Sequence, residues 1–365
     1  MNSILLIDDS PVVLRELETA LRQHLTSAEA EIRSWAPAEE DHKDPFETFS
    51  AKVDKDTILV VTDYDLTGQG RTGLFGASVV AWSQALAVPV GDYSRAMKNA
   101  LPAEPNLFEL RVPQESQKAA IYITAVFRGF AWIRSELSSK PELLSKRSPP
   151  AVIAALLGAL DLESQFALYG VRLGATSAAL VERIVRTAPA DVEPSTEDRK
   201  GLLGYIVGHL LLNAVLRFPG PIVSGPELTA YVGVDQSEAD GLGSIFASAK
   251  YNGPFSELEP YYWLRKVDEV LRPMLDQLNL GEQEPQTYGE LHRMALEKSS
   301  GRQFTRHGCK RCAGQNGGFW CPFTHRAVCQ RPDCSVGANS WVPQGASICR
   351  IERDFYDEWA PILGI

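Results

Sequence analysis

The chain has 365 residues, of which 44% are hydrophobic and 22% are charged. This composition is typical of globular proteins with more than one domain, and it excludes the collagen-like, disordered and coiled-coil classes. The 36 basic and 46 acidic residues give a net charge of −10, which argues against a nucleic-acid or membrane footprint over the whole protein. Because no membrane span or signal-peptide pattern is visible, we expect a cytoplasmic protein without membrane contact.

Three regions of the sequence differ in pattern. Residues 1–137 alternate short apolar runs, such as Ile4–Ile7, with amphipathic stretches, which predicts an α/β domain with a doubly wound parallel sheet. Residues 138–150 are rich in Ser and Pro and are predicted to be a linker. Apolar residues at helical spacing predict a mostly α-helical domain over 151–300. Residues 301–365 are predicted to form a small Cys/His-rich metal-binding module.

Acidic residues follow the first and third predicted strands. Asp8 and Asp9 come after the first apolar run, and Asp63 and Asp65 come after the third. The C-terminal ends of neighbouring parallel strands meet at the crevice where doubly wound sheets bind ligands. Carboxylates gathered there repel one another, and a hard divalent cation such as Mg²⁺ relieves the repulsion. The spacing therefore predicts a Mg²⁺ site centred on Asp63.

The run Ile4–Pro11, the loop Asp63–Gly68 and the segment Pro89–Ser94 resemble the receiver domains of two-component response regulators. The resemblance covers residues 1–137 and implies the flavodoxin-like receiver fold. It also implies that a histidine kinase or a phosphotransfer protein phosphorylates Asp63.

The same resemblance implies roles for individual residues. Asp8 and Asp9 would hold Mg²⁺ together with Asp63 and the backbone carbonyl of Asp65. Ser94 would donate a hydrogen bond to a phosphoryl oxygen as the switch residue. A metal is chemically sensible there, because a carboxylate nucleophile attacking a phosphoryl group needs its developing charge neutralised.

The chain departs from the family pattern after the fifth predicted strand, where receivers have a Lys-Pro pair. Here the segment Leu107–Pro113 places Arg111 in the position of the lysine, with Phe108 as the switch aromatic residue. Only 16 residues separate Ser94 from Arg111, which predicts a short or irregular fourth helix. Receivers commonly dimerise or signal through that face, so a homodimer is one expected assembly. A degenerate receiver that only docks a partner is the alternative.

A second interpretation concerns the loop Gly68–Gly73, which fits the dinucleotide-binding pattern GxGxxG and has Asp92 about 20 residues further on. In that fold the first glycine closes the strand directly, whereas here Asp63–Thr67 intervene. A nucleotide-binding enzyme that uses this loop therefore remains an alternative. No constellation of nucleophile, base and orienting acid is visible in residues 151–300.

The middle region contains two features with weak functional signals. Pro226–Phe246 has the rhythm of a helix-turn-helix motif, but acidic residues such as Glu238 and Asp240 would repel DNA phosphates. An ordinary helical hairpin is the favoured interpretation. His209 lies in an apolar run and is predicted to be a core histidine.

All the cysteines follow residue 308. Cys309 and Cys312 form a Cys-x2-Cys pair, which can grip one tetrahedral ion and is typical of zinc sites. The other candidate ligands are Cys321, His325, Cys329, Cys334, Cys349 and His307. One or two zinc ions are compatible with this set, and the spacing leaves the pairing open. Disulfides and an iron–sulfur cluster are the competing interpretations.

The cysteine-rich region is also basic. Between residues 302 and 331 there is no acidic residue, and the basic ones are Arg302, Arg306, Lys310, Arg311, Arg326 and Arg331. These side chains favour a nucleic-acid-binding regulator as an alternative function. The preferred prediction is a response-regulator-like signalling protein, in which the receiver passes its switch to a helical and zinc-module output.

Overall fold

The structure is a computed structural model of the chain. It describes all residues except 38–43, 68–73, 94–106, 109, 147, 171–195, 279–284, 286, 315–316, 338–340 and 364–365. The predicted switch residue Ser94, the Gly68–Gly73 loop and the predicted fourth helix of the receiver lie outside the described residues. No helix in the described part of the chain is both long and apolar enough to cross a membrane.

The strands and helices follow one another along the chain. The strands are β1 (Ser3–Ile7), β2 (Glu31–Trp35), β3 (Thr57–Thr62), β4 (Val90–Asp92), β5 (Leu110–Arg111), β6 (Ile222–Ser224), β7 (Tyr261–Trp263), β8 (Phe319–Cys321), β9 (Arg326–Val328), β10 (Ser335–Val336) and β11 (Ile351–Glu352). The α-helices are α1 (Pro11–Leu21), α2 (Pro45–Lys52), α3 (Gly76–Ala85), α4 (Ser116–Ser139), α5 (Pro149–Leu156), α6 (Glu163–Gly170), α7 (Thr196–Leu210), α8 (Gly225–Tyr231), α9 (Ala239–Ile245), α10 (Leu264–Asp276), α11 (Tyr288–Ser300) and α12 (Arg353–Leu363).

The chain divides into two compact units. The first consists of Met1–Leu157 and Leu173–Leu210, and the second of Gly158–Arg172 and Leu211–Ile365. The regions predicted from the sequence were divided by changes in residue composition, whereas these two units are groups of residues that contact one another. As a result, α5 and α7 belong to the unit that contains the large sheet, and the other helices after Leu157 belong with the cysteines.

The first unit is built on a five-stranded parallel sheet with the strand order β2-β1-β3-β4-β5. Every residue of β1 and β3 is buried, as expected for central strands of a parallel sheet whose two faces are covered. Side chains such as Leu5, Val60 and Val90 form a core with Phe49 and Val79 from the helices. The predicted parallel α/β architecture is confirmed.

The long helix α4 follows β5 and packs against α1 and α7. The predicted linker 138–150 contains the end of α4, a 3-10 turn over Pro141–Ser145 and the start of α5. Ser148 caps α5 by accepting a hydrogen bond from the Ala151 N–H. The Ser and Pro residues of this segment thus end one helix and begin another.

The described residues of the second unit are mostly helical. They also form three short two-stranded antiparallel sheets, in which β6 pairs with β7, β8 with β9 and β10 with β11. One core brings together side chains from several of its helices, including Leu228, Phe246, Val267 and Leu296. The predicted helix-turn-helix segment forms α8 and α9, each seven residues long. The cysteines lie in and around β8, β9 and β10.

Candidate metal centres

Three carboxylates gather at the C-terminal edge of the parallel sheet. Oxygen atoms of Asp8, Asp9 and Asp63 all lie within 4.8 Å of one another. Asp8 is buried, and Asp9 and Asp63 are half-buried. The sheet order explains this proximity, because β1 and β3 are neighbours and their C-terminal ends deliver the acidic residues side by side.

Backbone hydrogen bonds fix the positions of these carboxylates. The Asp63 N–H donates to the Ile7 carbonyl at 2.9 Å, which continues the β1–β3 pairing up to the acidic residue. The Ser10 N–H donates to Asp8 Oδ1 at 2.7 Å, and the Tyr64 N–H donates to Asp63 Oδ1 at 2.8 Å. The site is therefore held by main-chain geometry, with one oxygen of Asp63 already engaged.

The surroundings of Asp63 disfavour its charged form. Burial raises its pKa to about 6 despite the opposing hydrogen bond from Tyr64, and repulsion by Asp8, Asp9 and Asp92 adds to the rise. Asp92 is the last residue of β4, next to β3, and the sequence pattern predicted no role for it at this site. Its position at the end of an apolar run next to β3 was the signal that could have found it. The edge of the sheet thus concentrates negative charge around Asp63.

The other predicted residues of this site differ in their placement. The Asp65 side chain is exposed, lies outside the group of three, and accepts hydrogen bonds from the N–H and hydroxyl of Thr67. Arg111 is exposed at the end of β5, where it lies opposite Asp92 of β4 in the strand pairing. Phe108 is fully buried, and its ring stacks on that of Tyr205 in α7 at 5.0 Å.

The group of three fits a hard divalent cation. Its donors are carboxylate oxygens, which Mg²⁺ prefers, and the mutual repulsion among them is the kind that a cation relieves. Asp8, Asp9 and Asp63 are the residues that would hold it.

Replacing the Asp63 charge should stabilise the metal-free fold. The folded-state pKa lies above the ordinary value of 3.8, so the carboxyl destabilises the protein increasingly as pH rises from about 4 through 6. Since the side chain is only half-buried, the effect is modest. We expect Asp63→Asn to increase the free energy of unfolding by about 1 kcal/mol at pH 7.5 in chelator, which raises Tm by roughly 2–4 °C. The gain should vanish as pH falls below 4.

A matched control for this measurement is Asp65→Asn. Hydrogen bonds from Thr67 lower the pKa of Asp65, so its charge is favoured in the fold and its removal should bring no gain. Thermal unfolding at several pH values separates the two variants. Equal behaviour of both, or a loss of stability in Asp63→Asn, would contradict the electrostatic description of the site.

A second candidate centre consists of four cysteines. The sulfur atoms of Cys309, Cys312, Cys329 and Cys334 lie within 4.8 Å of one another. The antiparallel hairpin of β8 and β9 lies between the two pairs in sequence and returns the chain to Cys329, next to the Cys309–Cys312 turn. Lys310 N–H donates to the Ala327 carbonyl at 3.0 Å, which fixes that turn to β9.

The geometry of this cluster suits a tetrahedral ion. Four thiolates around a zinc-sized ion at about 2.3 Å place their sulfurs roughly 3.8 Å apart. The Sγ atoms of Cys312 and Cys329 are 3.9 Å apart. The Gly314 N–H donates to Cys312 and lowers the pKa of that thiol to about 7, whereas burial raises the pKa of Cys334 to about 12. A cation is what would allow all four to be thiolates together.

The remaining candidate ligands have other roles in the described structure. The Cys321 sulfur accepts the Glu352 N–H at 3.3 Å. His325 is exposed, with a positive φ of 51° in the turn between β8 and β9. His307 Nδ1 accepts the Gly318 N–H at 2.7 Å. Cys349 is buried beside Cys321 and away from the four-cysteine cluster. Of the candidates in the sequence, the structure thus gathers one set of four among the described residues.

The basic side chains around the cluster have acidic partners. Lys310 pairs with Asp235 at 3.7 Å. The other three ion pairs are Arg302–Glu238, Arg311–Asp354 at 2.9 Å and Arg326–Glu352 at 3.4 Å. Four of the six basic residues between 302 and 331 are therefore locally neutralised, and this weakens the field that a nucleic acid would meet.

No family model, curated protein or solved structure matches the chain.

Proposed function

We propose that this chain is a response-regulator-like signalling protein, phosphorylated on Asp63 by a histidine kinase or a phosphotransfer partner. The observation that carries the proposal is the convergence of Asp8, Asp9 and Asp63 at one edge of a parallel sheet ordered β2-β1-β3-β4-β5. A half-buried carboxylate among other carboxylates is a nucleophile that stays inactive until a cation and a phosphodonor are present.

The transfer step uses Asp63 directly. Because Oδ1 already accepts the Tyr64 N–H, we assign Oδ2 as the nucleophile. Oδ2 attacks phosphorus, the P–N bond of the donor phosphohistidine breaks, and its electron pair returns to the imidazole nitrogen, which takes up a proton. Mg²⁺ bound by Asp8, Asp9 and Asp63 would neutralise the negative charge of these carboxylates and of the phosphoryl oxygens. Arg111 is the cation that we place in the role of the family lysine.

Helix α7 is the element that we propose to read the receiver state. The rings of Tyr205 and His209 contact Phe108, at 5.0 Å and 5.4 Å, and His209 also contacts Phe130 of α4 at 5.1 Å. Burial lowers the pKa of His209 to about 3, so its ring is a neutral core group, as predicted. Since α7 covers Phe108, we favour transmission of the receiver state to α7 of the same chain over a homodimer formed through the face that carries Phe108.

We assign the four-cysteine centre to one structural zinc ion. The assignment rests on a donor set of thiolates only and on sulfur spacing close to that of a tetrahedral zinc site. The small strands around the cysteines are too short to bury a large core, so the ion would supply much of the folding free energy there. The zinc module is therefore a structural part of the output rather than a catalytic centre.

Incubation with acetyl phosphate and Mg²⁺ tests the proposed function. One phosphoryl group, about 80 Da, should be added to the wild type and to Asp65→Asn, but not to Asp63→Asn. The same reaction in chelator should give no added mass. Labelling of Asp63→Asn at the wild-type level would overturn the proposal.

A further inference from the structure

Arg350 is a half-buried arginine beside the four-cysteine centre. It directly precedes β11, and its main-chain N–H donates to the Trp320 carbonyl of β8 at 3.0 Å. From there its side chain reaches residues 329–335, the segment that carries the two later cysteines of the centre. The sequence pattern predicted no role for this residue.

The guanidinium of Arg350 contacts the residues that follow these two cysteines. Its Nε donates to the Ser335 hydroxyl at 2.7 Å, and its Nη2 donates to the Gln330 carbonyl at a longer distance of 3.5 Å. Gln330 directly follows Cys329, and Ser335 directly follows Cys334. One side chain thus joins the two stretches of backbone that present these sulfurs.

Ser335 extends this contact to the main chain of a candidate ligand. It is 1% exposed, and its hydroxyl donates to the Cys329 carbonyl while it accepts from Arg350. The hydroxyl thus uses its one donor and an acceptor position together. Because the second bond ends on Cys329 itself, the position of Arg350 is coupled to the position of that cysteine.

Arg350 has no acidic partner among the residues that the structure describes. The nearby Glu352 is buried and pairs with Arg326 at 3.4 Å instead. The guanidinium lies over the Phe319 ring at 5.4 Å, a cation–π contact with a ring that has no net charge. Burial lowers the pKa of Arg350, and attraction to the Cys329 thiolate opposes that shift. The counter-charge that this cation faces is therefore the cysteine centre.

A zinc-loaded centre would need such a cation. Four thiolates around one Zn²⁺ carry a net charge of about −2, and charge removed from water is costly unless it is paired. Lys310 and Arg311, which lie in the Cys309–Cys312 turn, already form ion pairs with carboxylates. Arg350 differs from them because the negative charge next to it is that of the sulfurs.

We propose that Arg350 is a positioning and charge-compensating residue of the four-cysteine centre. It holds Cys329 through Ser335, and it offsets the negative charge that the thiolates keep after zinc is bound. The proposal rests on the assignment of this centre to zinc, which the wild-type chain tests separately. Residues outside the ligand set of a metal site typically change its metal affinity by about 10–100-fold.

The zinc affinity of the full-length protein, measured by competition with a chromophoric chelator, tests the proposal. Arg350→Met removes the charge and the donors but keeps an unbranched side chain, and should weaken zinc binding about tenfold or more. Arg350→Lys keeps the charge without the planar fork of donors, so its Kd should lie between those of the wild type and Arg350→Met. A role in packing alone, which Met fills as well as Lys does, would give the two variants equal affinities.

The matched control is Arg331→Met. Arg331 is exposed and lies between Cys329 and Cys334 in the sequence, so this variant makes the same change of charge and leaves the contacts of Arg350 intact. Its zinc Kd should change less than about twofold. Co²⁺ in place of zinc gives visible absorption bands that report the tetrahedral thiolate geometry. We expect these bands to shift in Arg350→Met and to coincide with the wild type in Arg331→Met.

The outcomes separate this proposal from the zinc assignment on which it rests. Wild-type affinity in Arg350→Met, equal affinities of Arg350→Met and Arg350→Lys, or equal weakening by Arg331→Met would each overturn the proposal while the zinc site stands. Should Arg350→Met fail to fold, weaker zinc binding by Arg350→Lys than by Arg331→Met supports the proposal, and equal binding overturns it. A wild-type chain without bound zinc would overturn the assignment of the centre and this proposal with it.

Discussion

Cys312→Ser should remove the bound zinc and unfold the cysteine-rich part of the second unit. Serine has the size of cysteine but is a poor zinc ligand, so the tetrahedral set would lose one of its four donors. Structural zinc sites contribute about 10–16 kcal/mol to folding in small peptides, and we expect a loss of at least about 3 kcal/mol here. Metal analysis should give one zinc per wild-type chain and almost none in the variant, with a lower Tm.

The control for this prediction is Cys321→Ser. Cys321 was also a candidate ligand in the sequence, but its sulfur accepts the Glu352 N–H, a bond that a serine oxygen can accept as well. This variant should keep one zinc per chain. Loss of zinc from Cys321→Ser, or two zinc ions in the wild type, would contradict the assignment of the four-cysteine centre.

Gly76→Ala should disturb both the fold and the acidic site, although the substitution adds only one methyl group. Gly76 begins α3, and its N–H donates to the Tyr64 carbonyl at 3.0 Å. A Cβ at this position would lie 2.7 Å from the Tyr64 Cα and would also clash with the Asp63 carbonyl oxygen. All of these are backbone atoms of Asp63 and Tyr64, so no flexible side chain can move aside. We expect a loss of about 1–3 kcal/mol and slower labelling by acetyl phosphate.

Gly201→Ala is the matched control. Gly201 lies within α7, and a Cβ there meets no atom within 4 Å. Alanine is favoured over glycine in a helix, so this variant should be as stable as the wild type or gain up to about 1 kcal/mol. Urea unfolding midpoints compare the two. Wild-type stability in Gly76→Ala would show that the loop carrying Asp63 is looser than the structure indicates.

The parallel sheet and its acidic edge could be predicted because the residues that define them are neighbours in the sequence. Strands β1 and β3 contain the apolar runs Ile4–Ile7 and Ile58–Val61, and Asp8 and Asp63 are the first residues after the two strands, so residue pattern and chain direction together place the carboxylates. Asp92 follows the apolar run Ala87–Val90, but it was not assigned to the site because its spacing from the Gly68–Gly73 loop was interpreted as part of a dinucleotide-binding pattern. Local sequence patterns thus identified Asp8, Asp9 and Asp63 but not the neighbouring Asp92.

The four-cysteine centre shows what sequence spacing alone could not decide. Spacing identified Cys309 and Cys312, but the choice among the later candidates depends on the β8–β9 hairpin. In that hairpin His325 occupies the turn, and Cys321 faces a backbone N–H. The packing of α7 on Phe108 was equally inaccessible, because contacts between segments about 100 residues apart leave no periodic trace in a single sequence. Tertiary contacts of this kind decide which cysteines come together and which helix covers Phe108.

The measurement that tests the central claim most directly is the location of the phosphoryl group. The full-length protein is incubated with acetyl phosphate and Mg²⁺ and then treated with borohydride, which reduces an aspartyl phosphate to homoserine. Tandem mass spectrometry of the peptide that contains Asp63 reads the result. We predict homoserine at position 63 in the wild type, dependent on Mg²⁺, and none in Asp63→Asn. Absence of any label, or a label on Asp8, Asp9 or Asp92 instead, would contradict the account.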